Sequence, residues 1–249
     1  MEGDRNNAML AATGTVTAKA RKAADRWSFS DDQMAAAIGA AGLLRACQLI
    51  DEAIRLAANT QSVGANVLVR TAYECWLTGA WVLFGGETAM LRLERKRASS
   101  ERALANANDS AAAKTFVQTQ IDELDEIMSS VLPHGSAGVG FEQMAKELGP
   151  LIEVATGEAA DILATYNVLY RSHSTFDAHP WKVLGGMLRE EAKSIVVVES
   201  APWIDPVQAA AFLAMYAALL GNWISDCVGR PDPEWQELLA AARDAVVPS

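Results

Sequence analysis

Hydrophobic residues recur along most of the chain at the three- and four-residue spacing of α-helices. In residues 30–59 they form one apolar stripe with charged residues to one side, and Ser30 followed by Gln33 fits a helix-capping box. Residues 62–84 and 206–228 are instead apolar on nearly every side, which is typical of central helices packed by other helices. The chain is also rich in alanine and leucine, which favour helix over strand. The pattern therefore predicts an all-α fold.

Glycine and proline mark the limits of several predicted helices. Gly85 and Gly86 follow the first apolar helix, and glycine accepts the left-handed conformation in which helices commonly end. Gly149 and Pro150 are expected to end a short helix that begins at Phe141. The segment 133–140 contains one proline and three glycines, and we expect it to be a flexible loop.

The C-terminal half contains three further predicted elements. A helix is expected from about residue 157 or 158 to about 177, where the sequence His179-Pro180 breaks it. An Ile-Val-Val-Val run makes 194–199 the place where a short strand would form. Asp205 is a suitable cap for the second apolar helix, and a short helix over 232–246 closes the chain.

These elements predict a single domain, 1–249, built as a bundle of about seven to nine helices. Residues 1–27 are polar and mildly basic, and we expect them to be a peripheral N-terminal segment. Another charged stretch follows Gly86, and the simplest interpretation of its basic residues is a solvated helix face rather than a binding patch. These basic residues are Arg92, Arg95, Lys96, Arg97 and Arg102.

Composition limits the cell compartments and the classes of partner that we expect for this protein. The net charge of −10 argues against a protein that coats nucleic acid nonspecifically, because such binding rests on Lys and Arg neutralising phosphates. Cys47, Cys75 and Cys227 are widely separated in apolar helical contexts, which indicates reduced core residues. The N-terminus shows no secretory signal, both apolar helices carry polar residues, and the second has no basic flank of the kind that orients membrane spans. We expect a cytoplasmic protein with no membrane association.

Arg70 and Glu74 are the anomaly within the first apolar helix. They lie one helical turn apart, and burying such charges costs several kcal/mol per ion, by a rough estimate, unless they are paired. A buried arginine can bind a phosphate or a carboxylate with its planar guanidinium, and Glu74 would orient it. Alternatively, the pair has a purely structural role.

A second polar cluster lies in residues 166–179, which hold two of the three histidines. Histidine can act as a general acid or base near neutral pH, and a neighbouring arginine can stabilise charge on a phosphoryl group. A metal site is a further alternative, since His173 and Asp177 have the i, i+4 spacing of two ligands, with His179 or Glu74 as a third. A hydrogen-bonded structural cluster is the remaining interpretation. The residues concerned are Tyr166, Asn167, Tyr170, Arg171, His173, Ser174, Asp177 and His179.

The two clusters together carry a family resemblance. Arg-x-x-x-Glu in an apolar helix (Arg70, Glu74), followed about a hundred residues later by Tyr-Arg-x-x-Ser (Tyr170 to Ser174) and a histidine before a helix break (His179), resembles a bacterial family of unknown function over residues 40–200. That family in turn is distantly similar to the helical HEPN superfamily (higher eukaryotes and prokaryotes nucleotide-binding).

The HEPN resemblance implies a helical bundle that is often a homodimer, and a metal-independent ribonuclease of a toxin or phage-defence system. It gives Arg171 and His179 the catalytic roles, with Tyr170 and His173 beside them, and it implies no cofactor. Seven residues lie between Arg171 and His179 where the family has four to six, and two helical turns separate residues by roughly 12 Å. The two side chains therefore converge only if the helix bends or ends early.

We expect Arg70 and Glu74 to face the segment 166–179 and to form one polar site with it. The first functional hypothesis is an RNA-directed protein of the HEPN type. The second is a noncatalytic helical module in which Arg70, Glu74, Tyr166, Asn167, Ser174 and Asp177 hold a small anionic ligand or a protein partner, and the third is a metal-dependent enzyme.

Overall fold

The fold was analysed in a computed structural model that describes residues 2–59, 62–107, 110–131, 139–171, 188–191, 194–197 and 205–246. Eight α-helices lie within these ranges, together with a 3₁₀ turn, a π-helical turn and one short hairpin. The α-helices are α1 Glu2–Ala24, α2 Met34–Ala58, α3 Ser62–Ala107, α4 Ala111–Val131, α5 Phe141–Thr156, α6 Ile162–Thr165, α7 Pro206–Cys227 and α8 Glu234–Val246. The predicted all-α class is confirmed.

The long helix α3 is the centre of the bundle. It packs against α2, α4, α5 and α7, and α2 and α7 also pack against each other. Trp76 and Trp81 of α3 are essentially buried, as are Leu213 and Leu220 of α7. The two predicted apolar core helices are therefore present at the expected places.

Helices α2 and α3 approach closely where both carry glycine. A Cβ atom on Gly42 of α2 would lie 2.8 Å from the carbonyl oxygen of Cys75 and 2.9 Å from the Cα atom of Gly79. Those distances are too short for any side chain, so the contact requires glycine. Small residues of α2 thus permit close packing of the two helices.

Local capping signals acted as the sequence predicted. Gln33 Oε1 accepts a hydrogen bond from the backbone N–H of Ser30 at 3.2 Å, which is one half of the capping box. Asp205 Oδ1 accepts from the backbone N–H groups of Val207 and Gln208 at 2.7 and 3.2 Å. At the predicted stop in α3, Gly86 has φ 55° and ψ −140°, so two helices meet at a kink there.

Two predicted helix limits were wrong. Helix α5 does not end at Gly149 and Pro150 but continues to Thr156, with Gly157 as its left-handed cap. An internal proline costs about 3 kcal/mol, and the burial of Leu148 and Ile152 on one continuous apolar stripe offsets that cost.

The helix expected from residue 157 or 158 begins instead at Ile162. The side chain of Asp161 caps it by accepting from the backbone N–H of Ala164 at 2.9 Å. Aspartate is among the preferred residues at this position, because its carboxylate satisfies an otherwise unpaired N–H group. The expected end near residue 177 and the loop residues 133–138 lie outside the described residues.

A short β-hairpin lies between α6 and α7 in the sequence. Strand β1, Leu188–Glu191, pairs in antiparallel fashion with β2, Ser194–Val197, and Leu188 is opposite Val197. The expected strand at 194–199 is thus confirmed at 194–197, whereas β1 was not predicted.

The N-terminal helix α1 packs against α2, α7 and α8. Val16 and Ala20 are buried in the main core, and Lys19 forms ion pairs with Asp232 and Glu234 near the start of α8. Of the three cysteines, Cys47 is buried and Cys75 partly buried, but Cys227 is exposed at the end of α7. The expectation of three core cysteines was therefore wrong for Cys227, since the apolar stripe of α7 ends one turn before it.

Two helical segments in the described residues are long and apolar enough to cross a membrane, by length and composition only. They are Asp31–Ala58 and Pro206–Cys227, and 44% and 61% of their most apolar windows are buried within the protein. Core helices of soluble proteins pass the same test, so the finding is weak evidence for a membrane span.

Candidate functional site

A polar stripe runs along the first half of α3. Asn66, Arg70 and Glu74 follow one another at four-residue intervals, so they project from the same face of the helix. Asn66 is fully buried, whereas the side chains of Arg70 and Glu74 are 26% and 22% exposed. The arginine and the glutamate are thus only partly buried, because this part of α3 reaches the surface, where Val67 is exposed. Sequence reasoning missed Asn66, although its position one turn before Arg70 is a usable signal.

The second polar segment predicted from the sequence begins in a π-helical turn. Helix α6 is four residues long, and Tyr166–Arg171 follows it directly as a π-helix. The wider turn brings Tyr166 and Tyr170 together, with ring centroids 4.8 Å apart and planes inclined by 17°. Turns of this kind are rare and occur often at functional sites.

Arg70 connects the polar stripe of α3 to the π-helical turn. Its Nη2 donates a hydrogen bond to the hydroxyl of Tyr170 at 3.0 Å, and its guanidinium carbon lies 4.6 Å from the centre of the Tyr170 ring. Its Nε atom is 3.3 Å from Glu74 Oε1, an ion-pair distance without the alignment of a hydrogen bond. The predicted contact between the two polar segments is therefore present at Tyr170.

Aromatic rings and cations continue from Tyr170 towards α5 and the second half of α3. The ring of Phe141 lies 5.7 Å from that of Tyr170, and the Nζ atom of Lys96 lies 4.4 Å from the centre of the Phe141 ring. A cation thus lies over each of two adjacent, half-buried rings. Such contacts are favourable by about 0.5–1 kcal/mol at exposed sites and by more when water is excluded. We call Arg70, Glu74, Lys96, Phe141, Tyr166 and Tyr170 the Arg70 cluster.

Two further tyrosines lie behind the Arg70 cluster and are kept neutral. Burial raises the pKa of the Tyr73 hydroxyl far above its usual range, and the nearby Tyr216 and Tyr166 hydroxyls raise it further. Burial also raises the pKa of Tyr216, although the hydrogen bond to Thr165, 2.6 Å away, opposes this. Neither hydroxyl is suited to act as a base near neutral pH.

The structure brings together four of the residues singled out from the sequence: Arg70, Glu74, Tyr166 and Tyr170. Asn167 lies in the same π-helical turn but is exposed, and Arg171 ends that turn. His173, Ser174, Asp177 and His179 lie outside the described residues, as does the side chain of Arg171. Within the described ranges, no three His, Cys, Asp or Glu side chains are grouped so that they could hold a metal ion.

A second arginine and glutamate meet on the other half of α3. Glu147 Oε2 accepts hydrogen bonds from Trp81 Nε1 at 2.9 Å and from Arg92 Nη1 at 2.7 Å. Gln143 donates to the other carboxylate oxygen at 2.9 Å, and the Arg92 guanidinium carbon lies 5.3 Å from the centre of the Trp81 ring. Burial alone would raise the pKa of Glu147, but the hydrogen bonds from Arg92, Gln143 and Trp81 outweigh it and lower the pKa. We call Trp81, Arg92, Gln143 and Glu147 the Glu147 cluster, which was not predicted from the sequence.

Comparison with known proteins gives one match. Neither curated proteins nor solved structures yield a relative of this chain. The pattern of a family of unknown function (DUF5677) matches residues 36–195. That range includes all but the first two residues of α2, helices α3 to α6, strand β1, the first two residues of β2 and all residues of both clusters, and it corresponds closely to the 40–200 expected from the sequence. The chain belongs to this family of unknown function, DUF5677.

Proposed function

We propose that the protein is RNA-directed and related to the HEPN ribonucleases, with its site at the Arg70 cluster and the segment that follows it. The contact between Arg70 and Tyr170 carries the proposal. It supports the proposal because Tyr170 directly precedes Arg171, the first residue of the segment 171–179 to which the resemblance assigns catalysis.

The chemistry required of this segment is acid–base catalysis without a metal. The ribose hydroxyl would attack the adjacent phosphorus and give its proton to His179, the bond from phosphorus to the oxygen of the next nucleotide would break, and that oxygen would take a proton from water. Arg171 would stabilise the negative charge that develops on the phosphate oxygens. Arg70, Glu74 and Tyr170 would act as positioning residues, because Arg70 contacts both of the others and Tyr170 lies in the π-helical turn that ends at Arg171. We also propose that the chain works as a homodimer in the cytosol, as the resemblance implies.

The aromatic part of the Arg70 cluster fits single-stranded RNA as a ligand. Unpaired bases are commonly recognised by stacking on aromatic side chains beside cationic groups. Phe141 and Tyr170 are half-buried, and Lys96 and Arg70 lie over them. A local pair of cations is also compatible with the net charge of −10, which disfavours broad, nonspecific binding.

The decisive experiment is RNA cleavage by the purified full chain and by two variants. Arg171→Ala and His179→Ala are expected to abolish cleavage of single-stranded RNA, and the growth arrest that follows expression, without changing the circular dichroism spectrum. Arg102→Ala, which removes an exposed arginine far along α3, is the matched control and should cleave like the unaltered chain. Equal cleavage by all four proteins would overturn the proposal.

The second candidate is a noncatalytic module that binds a small anion at the same cluster. The 26% exposure of the Arg70 side chain favours it, because an anion from solution can reach the guanidinium. Inorganic pyrophosphate would then raise the melting temperature of the protein, Arg70→Ala would remove that effect, and no RNA would be cleaved. A melting temperature independent of pyrophosphate would reject this candidate.

A further inference from the structure

A groove lies between α3 and α5, and none of its lining residues belongs to the Arg70 cluster. Its volume is about 590 Å³, within the 300–1,000 Å³ that is typical of small-molecule sites. Val154 at this groove is 88% exposed, an unusual position for an apolar side chain. The apolar part of the lining is formed by Trp81, Phe84, Ala89, Pro150, Leu151 and Val154.

Irregularities in two helices meet at this groove. Gly85, which lines it, directly precedes Gly86, where α3 is kinked in a left-handed conformation. Pro150, inside α5, also lines it and has no N–H group to donate to the carbonyl of Lys146 one turn earlier. Irregular turns within helices have identifiable causes and are frequent at functional sites.

The polar part of the lining carries an excess of positive charge. Arg92 and Lys146 contribute two positive charges and Glu147 one negative charge, which leaves one positive charge in a chain whose net charge is −10. The Glu147 carboxylate is already engaged by Arg92, Trp81 and Gln143. Lys146 is 48% exposed and can turn from its partner Glu142, 2.8 Å away, towards a ligand.

We propose that this groove binds a small molecule with an apolar body and a single carboxylate. The body covers Phe84, Leu151 and Val154, and the carboxylate lies against Lys146 and Arg92. Burial of the body supplies about 25 cal/mol per Å² of apolar surface, and the charge selects the anionic head. This site is separate from the one proposed above and does not depend on RNA cleavage.

Isothermal titration with octanoate tests the groove directly. We expect saturable binding to one site per chain, and about tenfold weaker binding of octanol and of octylamine, which lack the negative charge. Lys146→Glu and Val154→Asp each place a negative charge on the groove and should weaken octanoate binding by about tenfold or more. Both side chains are exposed, so the fold should tolerate the changes.

Two matched controls carry the same substitutions elsewhere. Lys22→Glu on α1 and Val131→Asp on α4 alter exposed residues outside the groove and should leave octanoate binding unchanged. The proposal is wrong if octanoate shows no saturable binding, if octylamine binds equally well, or if the controls weaken binding as much as the groove variants.

Two further measurements test whether a second copy of the chain occupies the groove and whether octanoate binding is independent of the ribonuclease proposal. Concentration-dependent self-association abolished by Val154→Asp would mean that a second copy covers the groove, and it would overturn the proposal. Arg171→Ala and His179→Ala should still bind octanoate, so a failure of the ribonuclease proposal leaves this one standing.

Discussion

Two clusters along α3 each contain an arginine, a glutamate and an aromatic ring, but in different arrangements. In the Arg70 cluster, the arginine and the glutamate come from the same helix and are 3.3 Å apart, and Tyr170 is the partner from elsewhere. In the Glu147 cluster, the arginine and the ring come from α3 and the glutamate comes from α5. The ion pair of the first cluster lies within one helix, whereas that of the second joins two helices.

The arginine and the aromatic ring are more exposed in the Arg70 cluster than in the Glu147 cluster. The Arg92 side chain is 12% exposed, compared with 26% for Arg70, and Trp81 is essentially buried whereas Tyr170 is only half-buried. Glu147 receives three hydrogen bonds from side chains, while Glu74 has an ion-pair contact with Arg70. We infer that the Glu147 cluster contributes more to stability and that the Arg70 cluster is freer to interact with a ligand.

The largest expected effect is the loss of the Glu147 carboxylate. Glu147→Ala leaves the Trp81 indole N–H and the mostly buried Arg92 guanidinium without their acceptor, which should lower the free energy of unfolding by about 2–3 kcal/mol. Glu74→Ala is the matched comparison and should cost only about 0.5–1 kcal/mol, because Arg70 keeps Tyr170. Urea denaturation measures both, and an equal loss in the two variants would contradict the comparison.

The difference between the two ion pairs also explains why only the Arg70–Glu74 pair was predicted from the sequence. Arg70 and Glu74 stand one turn apart inside an apolar helix, so their pairing is visible in the sequence. Arg92 stands in a run of charges, which we interpreted as a solvated face, and its partner Glu147 lies 55 residues away. That interpretation holds for Arg97, which is 58% exposed and pairs with glutamates of its own helix, but it was wrong for Arg92.

An intermediate effect is expected for the hydrogen bond between Arg70 and Tyr170. Tyr170→Phe removes the hydroxyl and leaves the ring beneath the guanidinium, so the free energy of unfolding should fall by about 1 kcal/mol. In a double-mutant cycle with Arg70→Ala, the two residues should show a coupling energy of about 1 kcal/mol. Additive effects of the two substitutions would show that the contact does not position the π-helical turn.

The fold was predictable where signals are local. The capping box at Ser30, the cap at Asp205 and the helix stop at Gly86 each depend on a few adjacent residues, and each was confirmed. The course of α5 through Pro150 was not predictable by the same reasoning. There the packing of Leu148 and Ile152 against the core outweighs the local preference of proline, and such contacts are set by residues distant in the sequence.

The smallest expected effect concerns pH and again distinguishes the two clusters. Hydrogen bonds from Arg92, Gln143 and Trp81 hold the pKa of Glu147 below its usual value despite the opposing effect of burial. A carboxylate with a lowered pKa in the folded state contributes stability above its unfolded pKa, about 4.3, and loses that contribution as pH falls through the folded value. The stability advantage of the unaltered chain over Glu147→Gln should therefore stay constant near neutral pH and shrink below about pH 4.3.

Arg92→Gln provides the control for this pH dependence. Without the guanidinium, the strongest of the hydrogen bonds that lower the Glu147 pKa is gone, and the same comparison made in the Arg92→Gln background should change much less between pH 7 and pH 3. Urea titrations at a series of pH values measure both differences. If the two backgrounds showed the same pH dependence, the charge of Arg92 would not be what holds the Glu147 carboxylate ionised. The Glu147 cluster would then be held together by packing around Trp81 rather than by its ion pair.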